Sequence, residues 1–224
     1  VAKKIKNLLD LKNPTIAPYA SLEEVKLRIT AKAKSLSEAK LLIKPIKEKL
    51  HAKFSTYIFG EDNENLPTVL IKELIKRNES IVFAESCTGG LLSSQITSVA
   101  GSSKVFKGSV IAYSNEIKSL ILNVPKDLLS NYGAVSEEVA ESMATGVKNK
   151  FNSDWAISVS GIAGPSGASE LKPIGLVYIA ITGPNNETLK IKKQYNPLRN
   201  RNEIQRLSVN DCLNSLRLIL LSNK

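Results

Sequence analysis

The chain has 224 residues, enough for one large domain or two small ones, and 42% are hydrophobic against 23% charged. That balance excludes a disordered chain and supports a sizeable core. The net charge of +10 raises a nucleic-acid reading, but its distribution confines that reading to one end.

Residues 1–60 hold 13 Lys and Arg against 5 Asp and Glu, a net of +8, and the rest of the chain carries only +2. The basic end is a candidate surface for nucleic acid or an acidic partner, or simply a set of solvated lysine faces. Residues 3–12 read as a short amphipathic helix, with Ile5, Leu8, Leu9 and Leu11 apolar, broken by Pro14 and Pro18. Residues 25–33 alternate strictly, which predicts a half-buried strand with a basic outer face. Ser35 followed by Glu38 is a capping box, opening a helix that Pro45 is expected to kink or interrupt. Residues 54–59 read as a second strand, closed by Gly60. This order predicts a small basic α+β module over residues 1–60, without a Gly-x-x-Gly loop of the kind that clamps single strands. An acidic linker, 61–66, precedes a second domain over 67–224.

In the second domain, Pro67 fits the first turn of a helix running to about Arg77. Residues 81–84 form a buried strand that turns through Glu85-Ser86-Cys87-Thr88-Gly89-Gly90 into a helix with Leu91, Leu92, Ile96 and Val99 on one face. Such a turn exposes backbone N–H groups, which favour an anion or a developing oxyanion. Residues 105–114 are a strand, and Asn115 is expected to cap the helix that carries Lys118. A short segment at Pro125 and Gly133 leads to Ser136, which opens a helix to about Phe151. Residues 155–160 are a buried strand running into the glycine loop 161–167. Residues 174–182 and 189–195 form a hairpin around Asn185-Asn186, and a last helix spans about 202–221. Alternating strands and helices with a late hairpin predict an α/β domain with a mixed sheet covered by helices.

Neither end of the chain nor any internal run looks like a membrane span or a secretory leader. The chain opens on Val1 rather than Met, so a longer product is expected. Two cysteines, Cys87 and Cys212, make no disulfide framework, and a reducing cytoplasm is the expected compartment. The single histidine, His51, lies in the basic module. The second domain therefore has no Ser-His-Asp or Cys-His option and no histidine metal site; neither metal nor cofactor is expected.

Three polar clusters follow strands: Ser86 to Gly90, Tyr113 to Lys118, and Ser160 to Gly167. In open α/β sheets ligands collect where strands end and helices begin. A lysine freed of its charge by burial could serve as base for Ser86, with Tyr113 relaying or orienting. Each residue also has a plain alternative. Ser86 could cap a helix, Tyr113 could be a packed aromatic and Lys118 a surface lysine. Cys87 is a rival nucleophile or a packing residue, and the sequence does not say which of Ser86 and Cys87 faces a pocket.

The segments Ala84-Glu85-Ser86-Cys87-Thr88-Gly89-Gly90, Tyr113-Ser114-Asn115-Glu116-x-Lys118, Gly133-Ala134-Val135-Ser136-Glu137, Ser160-Gly161-Ile162-Ala163-Gly164-Pro165 and Lys172-Pro173-x-Gly175 resemble the C-terminal domain of the CinA (competence/damage-inducible) family. That domain is similar to nicotinamide-nucleotide amidase. Asn13-Pro14-Thr15-Ile16-Ala17-Pro18-Tyr19-Ala20 and the strand after it resemble the family's KH-type linker module. The family's molybdopterin-binding-like N-terminal domain has no counterpart in this sequence. The resemblance implies hydrolysis of nicotinamide mononucleotide to nicotinate mononucleotide and ammonia, and a homodimer. It implies Ser86 as nucleophile, Lys118 as base and Tyr113 assisting, with oxyanion donors around Cys87, Thr88 and Gly89. Ser160, Gly161 and Gly164 would line the nucleotide, and Arg201 and Arg206 would meet its phosphate. Two motifs depart from the family pattern: Gly-Asp-Arg reads Arg199-Asn200-Arg201, and Gly-Pro-x-Gly-Gly reads Gly164-Pro165-Ser166-Gly167-Ala168. Two other readings remain open at this level: a Ser-Lys hydrolase of another amide or ester, and a non-catalytic nucleotide- or nucleic-acid-binding module.

Overall fold

The structure, a computed structural model, describes residues 1–222; Asn223 and Lys224, the end of the second domain read from sequence, lie outside the described residues. The chain divides into two compact units, Val1–Asp62 and a second beginning at Asn63.

In the first unit a 3-10 turn, Ala2–Ile5, runs into the short helix α1 (Lys6–Leu9). Strand β1 (Thr15–Ala20) pairs antiparallel with β2 (Val25–Thr30), from Thr15 opposite Thr30 to Ala20 opposite Val25. Pro14 and Pro18, expected as breaks, instead precede and lie within β1, a strand that the local sequence does not signal. A two-stranded sheet leaves each strand a free edge, so a residue without an N–H is tolerated there. Helix α2 (Leu36–Phe54) starts at Ser35, whose side chain accepts from the Glu38 amide at 3.2 Å, and continues through Pro45 without a break. Residues 54–59 are not a strand. Phe54 ends α2, and a 3-10 turn, Ser55–Tyr57, follows. Ile46, Leu50 and Phe54 recur every four residues and bury one helical face with Ile5 and Ile16. That shared core outweighs the β propensity of the aromatic run.

The second unit begins with α3 (Leu66–Arg77), capped by the Asn65 side chain on the Thr68 amide. Next come β3 (Ile81–Glu85), α4 (Leu91–Thr97), β4 (Phe106–Ile111), α5 (Asn115–Leu122), α6 (Lys126–Tyr132), α7 (Glu137–Phe151), β5 (Trp155–Gly161), β6 (Leu176–Thr182), β7 (Thr188–Gln194) and α8 (Arg201–Ser222). The sheet order is β4-β3-β5-β6-β7. Strands β4, β3 and β5 are parallel, while β6 and β7 are antiparallel to their neighbours, so the predicted mixed α/β sheet is present.

Val82 and Ala84 pack with Leu122 of α5 and with Val139, Met143 and Val147 of α7. Strand side chains alternate, so Ile81, Phe83 and Glu85 fall on the opposite face, toward α4. Three parallel strands end at one edge of the sheet, with β3 central. Strand β7 runs the same way as β5, so the start of α8 comes to that edge too. This topology gathers the 86–90 turn, the 112–118 segment, the 161–167 loop and Arg201.

Candidate active site

Ser86 follows β3 and keeps the strand ladder for one more residue, its amide donating to Val159 O at 3.0 Å. By alternation it takes the α5 side of the sheet, the side of Ala84. There Lys118, in the first turn of α5, donates through Nζ to Ser86 Oγ at 3.2 Å. The same nitrogen donates to Ala112 O at 2.7 Å and Tyr113 O at 3.2 Å. Lys118 is 1% exposed and takes part in no ion pair among the described residues. Its partners are all neutral oxygens. Burial therefore pulls the Lys118 ammonium below the ordinary lysine value. Ser114, rather than the expected Asn115, caps α5, accepting from the Ile117 amide at 3.2 Å.

Cys87 is buried, and burial pushes its thiol up to about 12. Its carbonyl accepts from Gln205 Nε2 at 2.8 Å. Ser86 thus meets the lysine, and Cys87 is held as a neutral thiol. In the turn itself, the Gly89 amide donates to Ser86 O at 3.1 Å and the Gly90 amide to Glu85 Oε2 at 3.0 Å. The amides of Cys87 and Thr88 have no acceptor on another residue among the described residues, so of the three expected oxyanion donors Gly89 is already engaged. The Thr88 hydroxyl donates to Glu85 at 2.7 Å. Gly89 and Gly90 stand at φ of 61° and 99°, backbone conformations that side chains with a Cβ rarely adopt.

The Tyr113 hydroxyl accepts from Arg201 Nη2 at 2.9 Å. Arg201 Nη1 donates to Gly164 O, also at 2.9 Å. One guanidinium thereby ties the end of β4, the loop after β5 and the start of α8. Arg206 is exposed on α8 five residues later, roughly 140° around the helix, so it does not share the face of Arg201. Gln205 does share it, and reaches Cys87. Gln205 was missed in the sequence, where no motif distinguishes it from a solvated helix residue.

Ser160 is buried and donates to Ala134 O at 2.7 Å, so its hydroxyl secures the 133–136 loop rather than lining an open surface. Gly161 serves strand packing, because a Cβ there would lie 2.6 Å from Val177 Cγ2 and 2.7 Å from Leu176 O. Gly164 is at φ 77° and offers its carbonyl to Arg201. Among the described residues no group of three or more His, Cys, Asp or Glu is placed to hold a metal ion, and no helix is long and apolar enough to cross a membrane.

Residues 63–220 match the model of the CinA C-terminal domain, and residues 1–60 that of the damage-inducible protein CinA KH domain. A CinA-like protein of Prochlorococcus marinus strain MIT 9215 is 69% identical over 223 residues, covering 100% of this chain and 53% of its own length. One from strain SARG is 52% identical over 222 residues, covering 99% and 52%. The chain thus spans about half the length of these relatives. The crystal structure of competence/damage inducible protein CihA from Agrobacterium tumefaciens superposes with a TM-score of 0.68 at 35% identity, over 73% of this chain and 98% of that one. A CinA superfamily protein from Klebsiella pneumoniae gives 0.66 at 29%, over 71% and 99%. The order of motifs, the mixed sheet and these matches agree, and the chain belongs to the CinA family.

Proposed function

We propose that the second unit is an amidohydrolase that converts nicotinamide mononucleotide to nicotinate mononucleotide and ammonia, with Ser86 as nucleophile and Lys118 as base. The observation that carries the reading is the buried Lys118 amine 3.2 Å from Ser86 Oγ, with no ion pair among the described residues. A neutral amine has two hydrogens and one lone pair. The carbonyls of Ala112 and Tyr113 take both hydrogens, which leaves the lone pair for the Ser86 hydroxyl. Lys118 then removes the Ser86 proton as Oγ attacks the carboxamide carbon. The tetrahedral oxyanion falls to the Cys87 and Thr88 amides. Lys118 returns the proton to the departing nitrogen, ammonia leaves, and a nicotinoyl ester stays on Ser86. Water, deprotonated by the same amine, cleaves the ester and restores the Ser86 hydroxyl. Arg201, with donors beyond the two it spends on Gly164 and Tyr113, supplies positive charge for the substrate phosphate.

The test is ammonia release from nicotinamide mononucleotide by the purified chain, beside Ser86→Ala and Lys118→Ala. Activity in the parent that disappears in both variants supports the reading. A folded, inactive parent rejects it for this substrate. Turnover in a wider panel of amides and esters would then identify a Ser-Lys hydrolase of different specificity.

A further inference from the structure

Glu85 is wholly buried and forms no ion pair among the described residues. A carboxyl group in that position is costly unless its oxygens are filled. Here they are. Oε2 accepts from the Thr88 hydroxyl at 2.7 Å, the Gly90 amide at 3.0 Å and the Leu92 amide at 3.1 Å. Oε1 accepts from the Ser93 amide at 2.9 Å and the Ser93 hydroxyl at 2.5 Å.

This differs from the other capped helices of the chain. Ser35, Asn65, Ser114 and Ser136 each cap from the position adjoining their own helix. In α4 that position is Gly90, which has no side chain to offer. Its cap comes instead from the last residue of β3, reaching over the turn that carries Ser86. The carboxyl group therefore fixes the two ends of the 86–90 turn to each other, and the Thr88 hydroxyl fixes its middle. Both candidate oxyanion amides and the Ser86 side chain ride on that frame.

We infer that Glu85 is a positioning residue for the Ser86 nucleophile: its five hydrogen bonds keep the turn in the shape that sets Ser86 Oγ against Lys118 Nζ and holds the Cys87 and Thr88 amides beside it. The inference rests on the Ser86 reading above, but not on the identity of the substrate. Glu85→Gln keeps the size of the side chain and replaces one acceptor oxygen with a donor, which faces N–H groups in either orientation. The loss appears in kcat, because the turn is misplaced relative to the reacting carbon while the nucleotide contacts are unchanged.

The experiment compares the parent, Glu85→Gln and Asp154→Asn. Asp154 accepts from the Ser80 amide at 2.7 Å and the Ser80 hydroxyl at 2.6 Å at the opposite end of the sheet, so it controls for lost stability alone. Each protein is assayed where circular dichroism shows it folded. The readouts are kcat and KM on nicotinamide mononucleotide, and the rate at which a fluorophosphonate labels Ser86. In Glu85→Gln, kcat and the labelling rate fall together by about 10- to 100-fold with KM within about twofold, the size expected for a misplaced reacting group. Asp154→Asn leaves both within about twofold. If the parent labels at Ser86 without hydrolysing this substrate, the substrate reading fails and the labelling rates still decide the role of Glu85. A folded Glu85→Gln with kcat and labelling near the parent's overturns the inference, and so does a parent that is not labelled at Ser86. Should Glu85→Gln not fold, Ser93→Ala removes one donor to Oε1; a loss of about threefold in labelling supports the inference, and no loss rejects it.

Discussion

Arg201 and Tyr113 stand 88 residues apart in the chain and meet through a 2.9 Å hydrogen bond from the guanidinium to the phenol oxygen. Through this bond the phenol steadies an arginine whose other arm donates to Gly164 O. Tyr113→Phe should accordingly raise KM by about three- to tenfold and lower kcat less. Arg201→Lys loses the two-pronged geometry and should raise KM further. A double-mutant cycle on kcat/KM should return a coupling of about 1 kcal/mol, as for residues in contact. Additive effects would separate the two roles.

The lowered pKa of Lys118 carries two pH signatures. If the neutral amine is the base, kcat rises with pH through that lowered value and then levels, below the ordinary 10.5. Lys118→Arg stays charged throughout and should be inactive at every pH, a loss of at least about 1,000-fold. Stability follows from linkage. Between the lowered value and 10.5 the unfolded chain binds more protons than the folded one at this position, so stability rises with pH across that window. Urea unfolding of the parent and of Lys118→Met at pH 7 and pH 9.5 should show the parent gaining on the variant at the higher pH.

Cys87→Ala should keep activity within about threefold and cost about 1 kcal/mol of stability through lost packing. With its thiol near 12, Cys87 is thiolate in only roughly one molecule in 10⁵ at pH 7. Iodoacetamide at pH 8 should leave it unmodified in the folded protein, read by peptide mass spectrometry. An inactive Cys87→Ala beside an active Ser86→Ala would reverse the nucleophile.

Gly146 lets α7 pass against α5. A Cβ there would stand 2.0 Å from Leu122 O, at the end of the helix that carries Lys118. Gly146→Ala should therefore destabilise the fold by about 1–3 kcal/mol, measured by urea unfolding. The displaced α5 should lower kcat more than KM. Gly89→Ala has open space around its Cβ but a φ of 61°, and should cost only about 1 kcal/mol.

Much of the second unit was legible without coordinates, because its elements carry their own periodicity and caps. Ile81 to Ala84, Trp155 to Ser160 and the hairpin around Asn186 are short apolar or alternating runs between turn residues, and Ser136 marks its helix. The first unit was less legible. Phe54 carries a local preference that the common core around Ile46 and Leu50 overrides, and Pro18 lies in a two-stranded sheet whose free edge tolerates a missing N–H.

The lack of histidine in the second unit is a fact of sequence, and it already required any nucleophile there to find another base. That Ser86 and not Cys87 meets Lys118 was decided by tertiary structure. The reason is a strand ladder, Ser86 to Val159 O, that sets which way each side chain points, and two carbonyls that aim one amine. The same holds for Gly89, whose amide is already engaged, and for Gln205, which lies one turn after Arg201 and reaches the Cys87 carbonyl. Sequence determines which groups are available. Burial and the pairing of each donor and acceptor depend on residues far along the chain, and these decide which groups can react.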